Sequence, residues 1–153
     1  MKSISYFCDL NFTYQNAVDD YLVTPKSEFN KRIYYKIIEL NDIKINSTYF
    51  NYCYIKQLCE VIESNYNLYD SFIVLHGTDS MSFTASFISF MIENLQKPII
   101  FTGSMVPLSI MRNDSFNNLL GALSIAGHFN IPEVLIFFRN KLFRANRTKK
   151  VDC

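Results

Sequence analysis

The chain has 153 residues, of which 49% are hydrophobic and 19% charged, and its formal net charge is +1 at pH 7. This length suffices for one domain with a hydrophobic core, and the near-neutral charge lacks the basic excess that favours nucleic acid or an anionic membrane as a partner. The sequence shows neither a long apolar stretch nor a signal peptide with its cleavage site. We therefore predict a globular cytoplasmic protein that binds neither nucleic acid nor membrane.

The cysteines also limit the function classes. Cys8, Cys53, Cys59 and Cys153 are widely spaced, form no CxxC pair and have no histidine at zinc-ligand spacing. Reduced structural thiols are therefore the prediction, with no metal site and no cofactor.

The predicted elements alternate between strands and helices from residue 32 onward. Residues 1–30 are polar and aromatic without firm periodicity, and no element is predicted there. A strand–helix–strand order of this kind is typical of an α/β fold with a doubly wound, mostly parallel sheet. Strands are predicted at Arg32–Leu40, Phe72–Leu75, Lys97–Thr102 and Glu133–Phe138, and helices at Tyr54–Tyr66, Ser80–Leu95 and Ser115–Phe129.

Apolar spacing predicts how each helix packs. Leu58, Val61 and Ile62 form the apolar stripe of the first helix, and the second helix is apolar on nearly all sides, which predicts burial. Asp114 is predicted to cap the third helix. Four residues of that helix are predicted to face the sheet: Leu119, Leu120, Leu123 and Ala126.

Residues 72–84, FIVLHGTDSMSFT, are the most informative stretch for function. An apolar strand ends at Gly77, and Thr78 and Asp79 follow directly before a helix. A hydroxyl and a carboxylate therefore lie where open α/β sheets collect ligands. Without further information, Thr78 could equally end the strand and Asp79 cap the helix.

The two histidines are the other candidates for acid–base chemistry. His76 lies at the same strand end, and His128 closes the third helix. Both invite interpretation as a general base. We predict a structural role for each.

Three segments carry a family resemblance: HGTDSMSFTASFISFMIENLQKPIIFTGSMVPL, NNLLGALSIAG and IPEVLIFFRNKLFRANRTKK. In order and spacing, residues 72–151 resemble the N-terminal domain of L-asparaginases, particularly the cytosolic type I branch. The resemblance implies an incomplete asparaginase N-terminal domain over residues 32–153, after a poorly matched segment at 1–31. It also implies that the family's C-terminal domain is absent from this sequence.

The resemblance further implies an amidohydrolase that converts L-asparagine and water to L-aspartate and ammonia. Thr78, Asp79 and Lys150 match the family's Thr-Asp-Lys triad, in which threonine and lysine activate a nucleophile and aspartate holds the substrate's α-ammonium. Lys149 stands where threonine is usual, which puts an allosteric asparagine site in doubt. The alternative for Lys150 is an ordinary solvated lysine beside Lys149.

Ser47 is the last candidate substrate-binding residue. It matches the position of the substrate-binding serine in the family's Asp-Ser motif, although Asn46 replaces the aspartate. The alternative is a plain loop serine.

The main departure from the family is the absence of the motif TGGTI, whose first threonine is the family's primary nucleophile. Two function classes therefore stay open. One is a fragment of an L-asparaginase that is a homo-oligomer at full length. The other is an inactive truncated paralogue that binds asparagine or pairs with a full-length subunit. A third alternative is the asparaginase-like subunit of an archaeal-type tRNA amidotransferase. Such a subunit would need an additional N-terminal barrel domain, and nothing basic or barrel-like precedes Arg32 in this sequence.

Overall fold

A computed structural model describes the backbone of residues 4–9 and all atoms of residues 22–40, 52–107 and 109–152. Strands and helices alternate through most of these ranges. The strands are β1 (Ile4–Asp9), β2 (Leu22–Val23), β3 (Tyr34–Glu39), β4 (Ser71–Leu75), β5 (Ile99–Thr102), β6 (Val134–Phe138) and β7 (Lys141–Arg144). The helices are α1 (Tyr52–Asn65), α2 (Thr78–Met91) and α3 (Ser115–His128), and a 3₁₀ turn covers Ala145–Arg147.

The described strands form one seven-stranded sheet in the order β2-β3-β1-β4-β5-β6-β7. Parallel pairing joins β4 to β5 and β5 to β6, whereas the flanking strands pair antiparallel. The predicted α/β fold is confirmed, with a mixed sheet whose centre is parallel. The structure has two strands, β1 and β2, before residue 32, where the sequence predicts no element.

Helices cover both faces of the parallel centre because alternate strand residues point to opposite sides. Phe72, Val74 and Phe101 lie in one core cluster with the buried residues of α1 and α2. Ile73 and Ile100 lie in a second cluster with the buried residues of α3. Apart from Ser71 and Thr102, the strands β4 and β5 consist of apolar residues, as expected of strands with both faces covered.

The buried face of α3 differs from the predicted one. Leu123 and Ala126 are buried as predicted, but 59% of Leu120 is exposed. Asn118 and Ala122 are buried on the face towards the sheet, and Leu119 packs at its margin. The prediction for Leu120 was wrong because it relied on the apolar character of leucine. The angular position on the helix decides which residues are buried, and it places Leu120 on the exposed side.

The prediction that α2 is buried on nearly all sides was also wrong. Met81, Ala85 and Ile88 are buried against the sheet and α1, but an apolar stripe on the outer face is exposed. We call these residues the α2 stripe: Phe83 (61% exposed), Phe87 (38%), Phe90 (77%) and Met91 (41%). An amphipathic pattern could not reveal this, because both faces of the helix are apolar.

Two further observations concern function classes. None of the helices in the described ranges is long and apolar enough to cross a membrane. Cys53 and Cys59 form no disulfide, and burial raises the pKa of the Cys59 thiol, with Glu63 and Glu60 adding to the effect.

Candidate active site

The site begins where β4 ends and α2 starts. The backbone N–H of His76 donates to the carbonyl of Thr102 at 2.8 Å, which continues the parallel pairing one residue past the strand. Gly77, with φ −64° and ψ 140°, is the N-cap residue of α2. Thr78 and Asp79 therefore occupy the first turn of the helix, where the helix dipole favours a negative charge.

Gly103 allows the end of β5 to approach this strand end closely. A Cβ atom at Gly103 would lie 2.2 Å from the carbonyl oxygen of His76, which is closer than any side chain tolerates. The backbone that carries Thr78 therefore rests directly on the residue after β5. A glycine is required at position 103 for this contact.

A hairpin brings the third group to the site. Arg139 and Asn140 have φ values of 48° and 58°, which is typical of the tight turn that joins two antiparallel strands, here β6 and β7. The 3₁₀ turn that follows packs against α2 through the buried Ala145. This path returns the chain to the first turn of α2, beside which Lys150 lies.

Lys150 joins the two predicted residues of α2. Its Nζ lies 3.1 Å from Thr78 Oγ1 and 2.8 Å from Asp79 Oδ1. The three residues that the family resemblance selected thus form one contact cluster, although Lys150 is far from the other two in sequence. Side-chain exposure is 22% for Lys150 and 53% for Asp79, so water screens their ion pair.

An open cleft of about 310 Å³ lies over this cluster. Both lysines border it, but Lys149 is exposed, and it is Lys150 whose amine reaches Thr78. The cleft is lined by Asp79, Ser82, Phe83, Lys149, Lys150, Val151 and Asp152. Its lining combines charged groups with one aromatic ring, Phe83, the first residue of the α2 stripe.

Ser47 lies outside the residues that the structure describes, so its predicted role in substrate binding stays a prediction. The two histidines lie within the described ranges. His76 is buried, its Nδ1 lies 2.7 Å from the Gly77 carbonyl, and burial lowers its pKa although that hydrogen bond opposes the shift. His128 lies 2.7 Å from Ser27 Oγ through Nε2 and 2.7 Å from the Ser124 carbonyl through Nδ1.

The structure adds two polar residues to the surroundings of the site. Asp114 occupies the N-cap position of α3, as predicted, but its side chain makes no capping hydrogen bond. Its carboxylate instead accepts from the N–H groups of Met105 and Val106, at 3.1 Å each, and from the side chain of Asn118. The sequence signal for Asn118 is an asparagine on the sheet-facing side of an otherwise apolar helix.

Within the described ranges, no group of three or more His, Cys, Asp or Glu side chains is arranged to hold a metal ion. The chemistry that the cluster itself offers is that of a hydroxyl beside an amine and a carboxylate. A hydroxyl within hydrogen-bond distance of an amine can exchange a proton with it.

Fold and site together define an α/β protein with a polar cluster at the carboxyl edge of its parallel strands, beside a helix N-terminus. The sequence profile of the family described as "Asparaginase, N-terminal" matches residues 11–153. The chain therefore belongs to the asparaginase family, which is a family of amidohydrolases.

Two relatives with different names resemble the chain. The chain is 52% identical over 95 residues to L-asparaginase 1 of Escherichia coli K12, covering 62% of this chain and 28% of the relative. It is 42% identical over 153 residues to the mouse "60 kDa lysophospholipase", covering 99% of this chain and 27% of the relative. The chain thus spans about a quarter of the length of these relatives.

A solved structure shows the same fold. The crystal structure of L-asparaginase I from Vibrio cholerae O1 biovar eltor str. N16961 superposes with a TM-score of 0.69 at 45% identity. The match covers 71% of this chain and 33% of the Vibrio chain.

Proposed function

We propose that this chain supplies Thr78, Asp79 and Lys150 to the active site of an L-asparaginase, which hydrolyses L-asparagine to L-aspartate and ammonia. The contact of Lys150 Nζ with Thr78 Oγ1 at 3.1 Å supports this most directly, because it pairs a hydroxyl with a potential base. We further propose that the activity belongs to a cytoplasmic homo-oligomer in which a strand ending in TGGTI and a second domain complete the site.

In the proposed chemistry Thr78 and Lys150 move protons. A neutral Lys150 accepts the hydroxyl proton of Thr78, and the deprotonated oxygen then activates the nucleophile, which forms an acyl-enzyme. The same amine later returns the proton to the departing ammonia. Lys150 must be neutral for the first step, whereas its present ion pair with Asp79 favours the charged form.

The proposed role of Asp79 resolves this conflict. The substrate's α-ammonium would compete with Lys150 for the carboxylate of Asp79. A second positive charge at that carboxylate disfavours a charged Lys150, because like charges repel at short range. Substrate binding would then favour the neutral form of Lys150, which is the form that can act as a base. Ser47 is the remaining proposed substrate contact.

A chimera tests the proposal. Residues 72–151 of this chain replace the aligned segment of E. coli L-asparaginase 1, and the rest of that relative supplies the parts that complete the site. We expect release of ammonia from L-asparagine within about tenfold of the parent enzyme, because the transplanted groups keep their mutual geometry. A folded chimera that releases no ammonia would refute the proposal.

Two substitutions in the chimera separate the roles. Thr78→Val replaces the hydroxyl by a methyl of similar size and should lower kcat by about 10³ or more. Asp79→Asn should mainly raise KM, by roughly tenfold, since the half-exposed carboxylate binds substrate in water-accessible surroundings. Equal losses of kcat with unchanged KM would contradict this division.

The non-catalytic alternative is a paralogue that binds L-asparagine without turnover or pairs with a full-length subunit. The 153-residue chain by itself should release no significant ammonia, because positioning groups do not replace a missing nucleophile. Turnover within tenfold of the parent enzyme would show that the TGGTI threonine is dispensable.

A second candidate function comes from the relative named a lysophospholipase. The α2 stripe begins at Phe83 in the wall of the cleft and could accommodate an acyl chain. The same hydroxyl and amine would then act on an ester instead of an amide. Fatty-acid release from a lysophospholipid by the chimera, sensitive to Phe83→Ser, would support this candidate, and ammonia release insensitive to that change would argue against it.

A further inference from the structure

Asn118 is a buried polar side chain near the site that makes three hydrogen bonds. It is 2% exposed and lies in the first turns of α3, on the face towards the sheet. Its Nδ2 donates to the Gly103 carbonyl at 2.9 Å and to Asp114 Oδ2 at 2.9 Å, and its Oδ1 accepts from the N–H of Arg139 at 3.0 Å. One side chain thus joins the residues that follow β5 and β6.

Asp114 completes this network. Burial by itself would raise the pKa of Asp114, but the hydrogen bonds from the N–H groups of Met105 and Val106 and from Asn118 hold it below its usual range. The carboxylate therefore stays charged and orients the amide of Asn118. The backbone after β5 is therefore hydrogen-bonded at two positions, by Asn118 at Gly103 and by Asp114 at Met105.

Both strand ends that Asn118 joins lead to the Thr78–Lys150 contact. Gly103 packs against the carbonyl of His76, two residues before Thr78. Arg139 is the first residue of the tight turn between β6 and β7, and this hairpin leads through the 3₁₀ turn to Lys150. Thr102 Oγ1 adds a parallel link between the same strands by donating to the Phe137 carbonyl at 2.8 Å.

We propose that Asn118 is a positioning residue of the site, which sets the distance between Lys150 and Thr78 by joining the ends of β5 and β6. The side chain touches neither residue and acts through the backbone at Gly103 and Arg139. Naming the pair as reacting groups rests on the proposed function. The coupling between Asn118 and Lys150 is a property of the fold and can be measured without turnover.

Competitive acetylation of lysine amines measures this coupling in the 153-residue chain. Lys149 and Lys150 lie in one peptide, so mass spectrometry reports their relative labelling with Lys149 as an internal reference. Lys150 should react roughly fivefold more slowly than Lys149, because its amine donates two hydrogen bonds and is less accessible. Equal rates in the unsubstituted chain would overturn the proposal.

Two variants test the role of Asn118. Asn118→Leu keeps the side-chain size and removes all three hydrogen bonds, so the rates of the two lysines should become equal to within about twofold. Asn118→Asp keeps the acceptor for Arg139, loses both donated bonds and serves if the leucine variant does not fold. A folded Asn118→Leu or Asn118→Asp variant with the original ratio would refute the proposal.

Leu123→Ala is the matched control, because Leu123 is buried on the same face of α3 but makes only apolar contacts. It should lower stability and leave the labelling ratio unchanged. A ratio that falls as far as in the Asn118 variants would show that Asn118 acts only through general stability. Failure of the chimera to hydrolyse L-asparagine would not affect these ratios, so the two proposals fail separately.

Discussion

The parallel centre of the sheet and its N-terminal flank differ in what they contribute to the site. In β4, β5 and β6 the carboxyl ends share one edge, and the residues that follow them include Thr78, Gly103 and Arg139. In the flank, β1 pairs antiparallel with β4, with Cys8 opposite Ser71 and Ser5 opposite Val74. The last residue of β1 therefore lies at the edge remote from Thr78.

This difference shows that strand direction decides which residues can join the cluster. Parallel neighbours bring successive loops to one edge, whereas an antiparallel neighbour brings a loop there only from its other end. β7 runs away from this edge, and Lys150 reaches the site because the chain turns back after β7, through the 3₁₀ turn. The flank extends the sheet, and the parallel centre holds the described part of the site.

Hydrogen exchange tests the comparison most broadly. Ile100 lies in β5 between two paired strands, whereas Val23 lies in the two-residue edge strand β2 and is 44% exposed. The amide of Ile100 should exchange about 10⁴-fold more slowly than that of Val23, because central strands open only with global unfolding. Similar protection at both positions would show that flank and centre unfold together.

The adjacent lysines sharpen the comparison at the edge of the parallel centre. Lys150→Met in the chimera should lower kcat by about 10²–10⁴, the usual contribution of a positioned proton-transfer group. Lys149→Met should be nearly silent, since Lys149 is exposed and Lys150 makes the contact with Thr78. Ammonia-release kinetics measure both. A larger loss of kcat from Lys149→Met than from Lys150→Met would assign the proton-transfer role to Lys149.

A pair of leucines tests the packing of α3 on the parallel centre. Leu123 is 5% exposed and Leu120 is 59% exposed. Leu123→Ala should therefore lower the free energy of unfolding by about 2–4 kcal/mol, and Leu120→Ala by less than about 0.5 kcal/mol. Urea denaturation gives both values. A comparable loss from Leu120→Ala would mean that this residue is covered in solution.

The smallest expected effect concerns pH and His76. Burial lowers its pKa below the ordinary 6.5, so the unfolded chain binds the proton first as the pH falls. The stability linked to His76 is complete above pH 6.5 and is lost as the pH falls towards the folded-state value. Urea midpoints between pH 7.5 and 5 should fall more steeply for the native chain than for His76→Phe.

The same window separates this effect from that of Asp114. The pKa of Asp114 is lowered from 3.8, so its contribution is lost only below that pH. If the urea midpoint falls with pH equally steeply in the native chain and in His76→Phe above pH 5, His76 does not control the pH dependence of stability.

The fold was largely predictable because the central elements carry strong local signals. The continuous apolar run of β4 and the helical spacing of α1 predict their elements without tertiary information. The strands β1 and β2 were not predictable in this way, since they carry no firm alternation and β2 has only two residues. Pairing with β3 and β4 stabilises such strands more than their own propensity does.

The candidate site was predictable in part. Thr78 and Asp79 follow from a strand that stops at a glycine before a helix, and that pattern is local. Lys150 followed only from the family resemblance, because no spacing rule relates two residues brought together by a hairpin and a 3₁₀ turn. Asn118 was missed because three separate backbone positions give it its role.

The sequence by itself thus determined the order of the central elements, the strand end that carries Thr78 and Asp79, and the family to which the chain belongs. Local apolar periodicity and glycine placement involve only residues close together in sequence, so they can be deduced without coordinates. Only the tertiary structure decided that β1 runs against β4, that the amine of Lys150 lies within hydrogen-bond distance of Thr78, and that Asn118 joins two strand ends. Those outcomes depend on strand pairing and close packing between residues distant in sequence, for which the sequence carries no local signal.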